Sequence, residues 1–328
     1  MVVLVRIMWP FWCDQGHVTE GRVWLQKALQ QPQVKSSTAD HATLLAGAGV
    51  LAAEHSDYVE AIALLEQAVL LLDQRTQPNL LASTLSMLGR CLEVQGQPEN
   101  AKLILQTSLN IHQSNKNKLG SATSLHHLGI VQCRLKEIDI AQISLEESII
   151  LFRLFERFSD LAIALNHLAE VHLNRNDTAT ARRLCAESIT VPIPQPWFRA
   201  RNEAFVLIVL GIIALLEQQP AEAIEHERRS LRIHRDMFYK DGMIWNLLVL
   251  GGAATALGQS ERAARLFAAA NMLQQSIGKA MAPTILPYYQ RFLALAQQGC
   301  SQHIWEVAWE LGAQMPLDTA IDYALSDA

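Results

Sequence analysis

The sequence predicts an all-α solenoid of stacked helix-turn-helix repeats with a helical cap at its carboxy-terminal end, and three observations carry that expectation. The first is composition: of 328 residues, 50% are hydrophobic but only 6% are aromatic and 18% charged. A chain this apolar is not disordered and has enough non-polar surface for a sizeable core. Its 16 glycines and 11 prolines are too few for a loop-rich β protein. The second observation is a 40-residue period, and the third is the amphipathic stripe inside each period.

Small residues mark the period at Gly49, Gly89, Gly129, Ala169, Gly211 and Gly251, at intervals of 40, 40, 40, 42 and 40. A second small-residue series runs twelve residues behind, from Ala61 to Ala263, and Gly21 extends it one unit back. Four residues further stand Leu25, Leu65, Leu105, Leu145, Cys185, Glu227 and Phe267; three beyond those come Ala or Ser, as at Ala68, Ser108 and Ser230. Seven units fit this spacing: 2–41, 42–81, 82–121, 122–161, 162–203, 204–243 and 244–283.

Each unit reads as two antiparallel helices. In the first helix of unit three, Leu85, Leu88 and Leu92 fall at i, i+3 and i+7 and make one buried stripe. The recurrent glycine lets a neighbouring helix approach closely, and the small residues of the second helix do the same from the other side. Turns carry matching punctuation. Gly96-Gln97-Pro98 and Gln219-Pro220 place proline at a helix start, and Asp57 with Glu60 has capping-box spacing. In unit five, Val191-Pro192-Ile193-Pro194-Gln195-Pro196 cannot be helical throughout and reads as a short extended joint at which the superhelix changes pitch. No pair has enough core to fold alone, so the units must stack. Beyond residue 283 the period stops, and Tyr288 to Leu325 read as two or three closing helices, with Trp305 and Trp309 on the faces that cover the open end.

At the opposite end, Val2, Val3, Leu4, Ile7, Met8, Trp9, Phe11 and Trp12 form a greasy first helix with no polar capping helix ahead of it. That face is expected to pack on an upstream domain or on a second copy of the chain, or else to be covered by residues 1–8 folding over the end. Met1 to Cys13 does not read as a signal peptide, because it lacks a small-residue cleavage site and runs straight into the repeats.

The balance of 27 Lys and Arg against 32 Asp and Glu leaves a net charge of −5, which disfavours nucleic acid as the main partner. Five cysteines, Cys13, Cys91, Cys133, Cys185 and Cys300, lie far apart without a C-x-x-C pair, and read as reduced core thiols of a cytoplasmic protein. No stretch approaches about 18 uninterrupted apolar residues, so no membrane span is expected.

The repeat pattern Leu88-Gly89…Ala101…Leu105…Ser108 and its copies resembles the tetratricopeptide repeat over residues 2–283. That resemblance implies a right-handed superhelix. The unit departs from the family in its length of 40 residues against roughly 34, and in lacking most of the usual Trp and Tyr of the first helix. HEAT and armadillo units have similar lengths and stand as the minor alternative. The two ends are more specific. Gly16-His17-Val18-Thr19-Glu20-Gly21-Arg22-Val23-Trp24-Leu25 resembles the first repeat of the sensor tails in bacterial STAND regulators, which join an NB-ARC-type ATPase to a tetratricopeptide array. Ala264-Arg265-Leu266-Phe267, Trp305…Trp309-Glu310-Leu311-Gly312 and Ala320-Ile321-Asp322-Tyr323 are similar to the closing helices of such tails. The resemblance implies a non-catalytic receptor or scaffold without its own output domain, since no G-x-x-x-x-G-K-[ST] phosphate loop occurs. A stand-alone adaptor is the alternative.

In the tetratricopeptide superhelix, positions 2, 6, 9 and 13 of each unit face an inner groove. Here those positions supply a polar centre, Arg90, His127, Arg134, His167, Glu170 and Asn174, and a later apolar stretch including Phe205, Val209, Ile212 and Leu216. A protein or peptide ligand suits such a concave surface, because Arg can fork onto a carboxylate and His or Asn can bond a peptide backbone. The plainer expectation is a merely solvated inner face. The apolar stretch would alternatively be filled by the closing helices.

Other readings are weaker. His167 and His172 are five apart and point away from each other on one helix, so they cannot share a metal as an i, i+4 pair could. Arg228, Arg232 and Arg235 make a basic stripe, but on a second helix expected to be outer and solvated. No nucleophile elbow, paired-His motif or phosphate loop points to an enzyme, and no metal or cofactor is expected.

Overall fold

The computed structural model describes residues 1–35, 37–278 and 286–326, which form eighteen helices and no strand. The end of the seventh repeat, residues 279–283, lies outside the described residues. No described helix is long and apolar enough to cross a membrane.

The helices pair along the chain as the period requires. Pairs are α1 (Val2–Gln15) with α2 (Val18–Leu29), followed by the one-turn α3 (Pro32–Lys35); α4 (Thr38–Glu54) with α5 (Tyr58–Leu71); and α6 (Pro78–Val94) with α7 (Pro98–Ser114). Then come α8 (Lys118–Arg134) with α9 (Ile138–Leu154), α10 (Phe158–Asn174) with α11 (Thr178–Thr190), α12 (Pro196–Leu216) with α13 (Pro220–Asp236), and α14 (Lys240–Ala256) with α15 (Ser260–Ser276). Three helices close the chain: α16 (Leu286–Gln298), α17 (Gln302–Ala313) and α18 (Leu317–Leu325). Contacts gather the residues into two compact units, Met1–Ala164 with the turn at Ile277 and Gly278, and Leu165–Ser276 with the closing helices.

In the first unit each glycine of the period meets the leucine sixteen residues ahead on its own partner helix. A Cβ on Gly49, Gly89 or Gly129 would stand 2.6, 2.5 and 2.6 Å from Leu65, Leu105 and Leu145 Cγ respectively. These leucines are completely buried. The glycine is therefore the socket for the leucine, and the pair locks the two helices of one repeat. The turn after each first helix repeats as well. Position 15 of every unit is left-handed, at Gly16, Ser56, Gly96, Lys136, Asn176, Gln218 and Gly258, with φ between 57° and 79°. In unit two, Ser56 N donates to Ala53 O at 3.0 Å and Asp57 N to Ala52 O at 2.9 Å, which closes the helix end in Schellman fashion.

The capping box expected of Asp57 and Glu60 does not form. Asp57 makes no side-chain bond to the α5 amides; Arg22 on α2 takes its carboxylate instead and also donates to Glu60 Oε2 at 2.6 Å. A fixed cation outcompetes a neutral amide for the same oxygens. Although burial pushes the other way, Arg22 and His55 hold the Asp57 carboxyl below its ordinary range. Side-chain caps do form at Ser37, Asn117, Asp177 and Ser301. Prolines start α6, α7, α12 and α13, where the missing N–H costs nothing.

In the second unit, α11 ends at Thr190 and extended backbone at Val191 and Gln195 leads to Pro196, the joint its prolines dictate. The locking pair becomes Gly251 against Phe267, 2.5 Å from a Cβ position to Cε1. The closing helices follow. Gly312 on α17 lets that helix lie directly on the α15 backbone at Arg265, and Phe292 on α16 packs over Gly252 of α14.

Candidate functional site

The sequence-derived site residues stand on the first helices of successive repeats, and most are already engaged. Within the first unit, α4, α6 and α8 are tied side by side. Arg90 Nη1 on α6 donates to Glu54 Oε1 on α4 at 2.7 Å and lies 3.7 Å from Met87 Sδ. His127 on α8 is buried, its Nδ1 3.1 Å from Ser86 Oγ on α6, with the His126 ring 5.3 Å away. Arg134 near the end of α8 pairs with Glu93 on α6, and both side chains are at least nine-tenths buried, at 8% and 6% exposure.

An ion pair that deep has lost most of its water, so each charge depends on the other. The arginines are therefore fixed in place, and neither is an open fork waiting for a carboxylate. Sequence reasoning placed Glu54 on the same inner positions but missed Glu93 and Ser86. Those two sit one position off the inner set in their unit, and only the rotation of α6 against α8 brings them opposite Arg134 and His127.

Within the second unit, α10 and α12 carry the rest. His167 Nδ1 lies 3.3 Å from Glu170 Oε2, one turn on, and its ring meets Phe205 edge-on at 5.4 Å. Asn174 Nδ2 donates to the Glu170 backbone carbonyl at 3.2 Å. The apolar inner stretch is covered: Ile212 and Leu216 of α12 and Val249 of α14 line a cavity closed by Tyr289 and Phe292 of α16. Through Tyr289 and Phe292, α16 thus covers the later part of that stretch, at Ile212 and Leu216.

The basic stripe on α13 is also different from a solvated face. Arg228 donates to the Ser326 carbonyl beyond α18, and Arg235 lies 3.7 Å from Asp322 on α18. Only Arg232 of the three is exposed. The stripe serves as the ledge on which the last helix sits.

A buried polar cluster in the same unit was not foreseen. Glu227 occupies the position of the locking leucine and is wholly enclosed against Gly211. Its Oε2 accepts from Asn246 Nδ2 at 2.7 Å, and Asn246 Oδ1 is 2.8 Å from His234 Nδ1. Ser230 Oγ donates to the Ala204 carbonyl at 2.8 Å. Burial pushes the Glu227 carboxyl well above the carboxylate range and drives His234 down to about 4, so the His234 imidazole is neutral near pH 7. The signal in the sequence was Glu227 itself, a charge in a column of leucines.

Burial raises the Cys91 and Cys185 thiols to about 12, which leaves them unreactive. Among the described residues, no group of three or more His, Cys, Asp or Glu side chains comes together as a metal site would require.

Comparison with known proteins agrees with this architecture. Residues 80–154, from α6 through α9, match the family model described as tetratricopeptide repeat. Regulatory protein AfsR of Streptomyces griseus is 25% identical over 217 residues, which is 57% of this chain but 22% of that relative's length. Among solved structures, the Rap conjugation gene regulator of plasmid pLS20, in complex with the Phr* peptide, is similar with a TM-score of 0.58 at 13% identity, over 96% of this chain and 98% of that one. BtubC (BKLC) from P. vanneervenii gives a TM-score of 0.51 at 15% identity, over 68% of this chain and 92% of that one. At such identities the two structures share the fold. The chain carries tetratricopeptide repeats and resembles a bacterial regulatory protein.

Proposed function

We propose that this chain is a non-catalytic protein- or peptide-binding scaffold, acting as the signal-receiving module of a bacterial transcriptional regulator and taking its ligand along the inner face of the first helices. One observation carries the reading: the ties Arg90–Glu54, Ser86–His127 and Arg134–Glu93 hold α4, α6 and α8 in a fixed polar array. A preorganised array loses little side-chain entropy when a ligand docks, which is what a receptor surface needs. The peptide class of ligand is supported by the Rap regulator, which was solved with a peptide bound. The regulatory context is supported by AfsR, whose length extends well beyond the matching part.

The ligand-facing residues would be Arg90, His127 and Arg134 in the first unit, and His167, Glu170 and Asn174 in the second. Pairing with Glu54 and Glu93 would hold the Arg90 and Arg134 guanidiniums in one fixed geometry for a ligand. No cofactor takes part.

An immobilised array of random peptides, probed with the purified chain, supplies the test. Replacing Arg90 by Ala alone would strand Glu54, so Arg90→Ala is combined with Glu54→Gln. The double variant should melt close to the parent yet bind the selected peptides about tenfold or more weakly, a loss of roughly 1.4 kcal/mol. Undiminished binding would remove these residues from the site.

A further inference from the structure

The inner face of the second unit carries a pit. Inner position 9 holds a side chain in units two to six, as Val50, Arg90, Ile130, Glu170 and Ile212, but in unit seven it is Gly252. Glycine weakens a helix interior, and the lock of this repeat uses its neighbour Gly251. What Gly252 provides is room: a Cβ there would stand 3.1 Å from both Leu215 Cδ1 and Phe292 Cδ2. The Phe292 ring of α16 therefore rests where a side chain of α14 would otherwise be. Beside it, Tyr289 meets Phe267 edge-on at 5.3 Å. The two rings stand one turn apart on α16 and roof Ile212, Leu216 and Val249, yet they leave a cavity of about 20 Å³. Its walls offer almost nothing for a water to bond, so each wall gives up contact energy.

The three closing helices are held in different ways. The seat of α17 sets Gly312 against the α15 backbone and buries Trp305 and Ala308. Arginines tie α18, through Arg228, Arg235 and Arg262. On α16, among the described side chains from Tyr289 to Gln298, only Ala296 is buried and Leu295 is 47% exposed. None of these side chains makes a hydrogen bond or ion pair with another helix. Two rings over an imperfect fit are its main hold, so α16 is the closing helix that leaves at least cost.

We propose that Ile212, Leu216, Val249 and Gly252 form a binding site for two bulky apolar side chains of a peptide ligand, and that α16 holds this site with Tyr289 and Phe292 until such a peptide displaces it. The proposal rests on the inner-face reading and gives its ligand a chemical feature and a control. The feature follows from the walls: they are apolar, so a charged or amide side chain would lose its water there without gaining a partner. The occupant already seated shows a spacing that fits, two rings at i and i+3 of a helix. The control follows from the occupancy, because a ligand sees only the fraction of molecules in which α16 has swung away.

Two full-length chains supply the test, the parent and a Tyr289→Ser, Phe292→Ser variant, with a fluorescent synthetic peptide of residues 286–298 as the probe. The probe should bind the variant about tenfold or more tightly than the parent, and a probe carrying Phe292→Ala should bind neither. In the parent, which needs no substitution, hydrogen exchange over residues 289–298 should run about tenfold or more faster than over α17. Amides of α16 as slow as those of α17 overturn the proposal. So does a probe that fails to bind the variant while α14 and α15 keep their exchange protection. Peptides selected on the array separate the two readings. If they bind parent and variant alike, α16 guards nothing and the inner-face reading alone survives; if none binds either chain while the probe binds the variant, the apolar site stands and the inner-face reading falls.

Discussion

Glu227 and His234 stand in one buried cluster, and they load the pH dependence of stability in opposite directions. The folded carboxyl of Glu227 is raised, so its favourable contribution is complete below about 4.5 and is lost as pH rises through the folded value. The folded imidazole of His234 is depressed from 6.5 to about 4, so its contribution is complete above 6.5 and is lost as pH falls through that window. Glu227→Gln keeps an acceptor for Asn246 and removes the acid. Its stability over the parent should widen steadily as pH rises above 4.5 in urea unfolding measured across pH. His234→Phe borrows the residue that unit four has at this place, Phe152. It should remove an acid-side loss of about 3 kcal/mol between pH 6.5 and 4. A parent whose stability is flat over both ranges would contradict the two opposed shifts.

At the scale of the helix pair, the unit of construction is a socket and its filling. Gly89 accepts Leu105, and a methyl group at the socket would collide with the leucine branch. Gly89→Ala should therefore destabilise by about 1–3 kcal/mol in denaturant melts. Unit five shows the compensating combination in the sequence, Ala169 with Cys185 at the same two positions. Gly89→Ala with Leu105→Cys should accordingly recover part of the loss, whereas a purely additive result would separate the two sites. These pairs were legible in the sequence because both partners lie within one 40-residue unit at a constant spacing of sixteen. The left-handed turn at position 15 was not, because only Gly16, Gly96 and Gly258 of its seven occupants are glycine. Ser56, Lys136, Asn176 and Gln218 accept a strained φ that the closing hydrogen bonds of the turn hold in place.

At the scale of the whole molecule, the closing helices cover the last repeat. The far end is clamped by cations against a helix terminus. Arg262 Nη2 donates to the Ser326 carbonyl at 2.8 Å and the Tyr323 carbonyl at 3.1 Å, and its guanidinium lies 4.9 Å from the centre of the Tyr323 ring. A cation on the last carbonyls also answers the negative end of the α18 dipole. Arg262→Ala should loosen α18 selectively, by about 1–2 kcal/mol, seen as faster hydrogen exchange over residues 317–325 with the first unit unchanged. Uniform exchange changes across all repeats would show instead that the clamp holds more than its own helix. On α1, Leu4, Ile7 and Phe11 are exposed.

The amino-acid sequence by itself determined the period, the pairing of helices within each unit, the proline joint and the presence of closing helices. All four follow from side-chain size and backbone restriction at fixed local spacings, and such properties need no knowledge of neighbours. Only the tertiary structure decided which charges meet. Arg134 finds Glu93 and not open groove, Arg22 draws Asp57 away from its cap, and the α13 arginines hold α18. Those pairings depend on how far one helix rotates against the next. That angle is set by the packing of whole repeats, so a residue that looks free along the chain is taken once the helices are laid side by side.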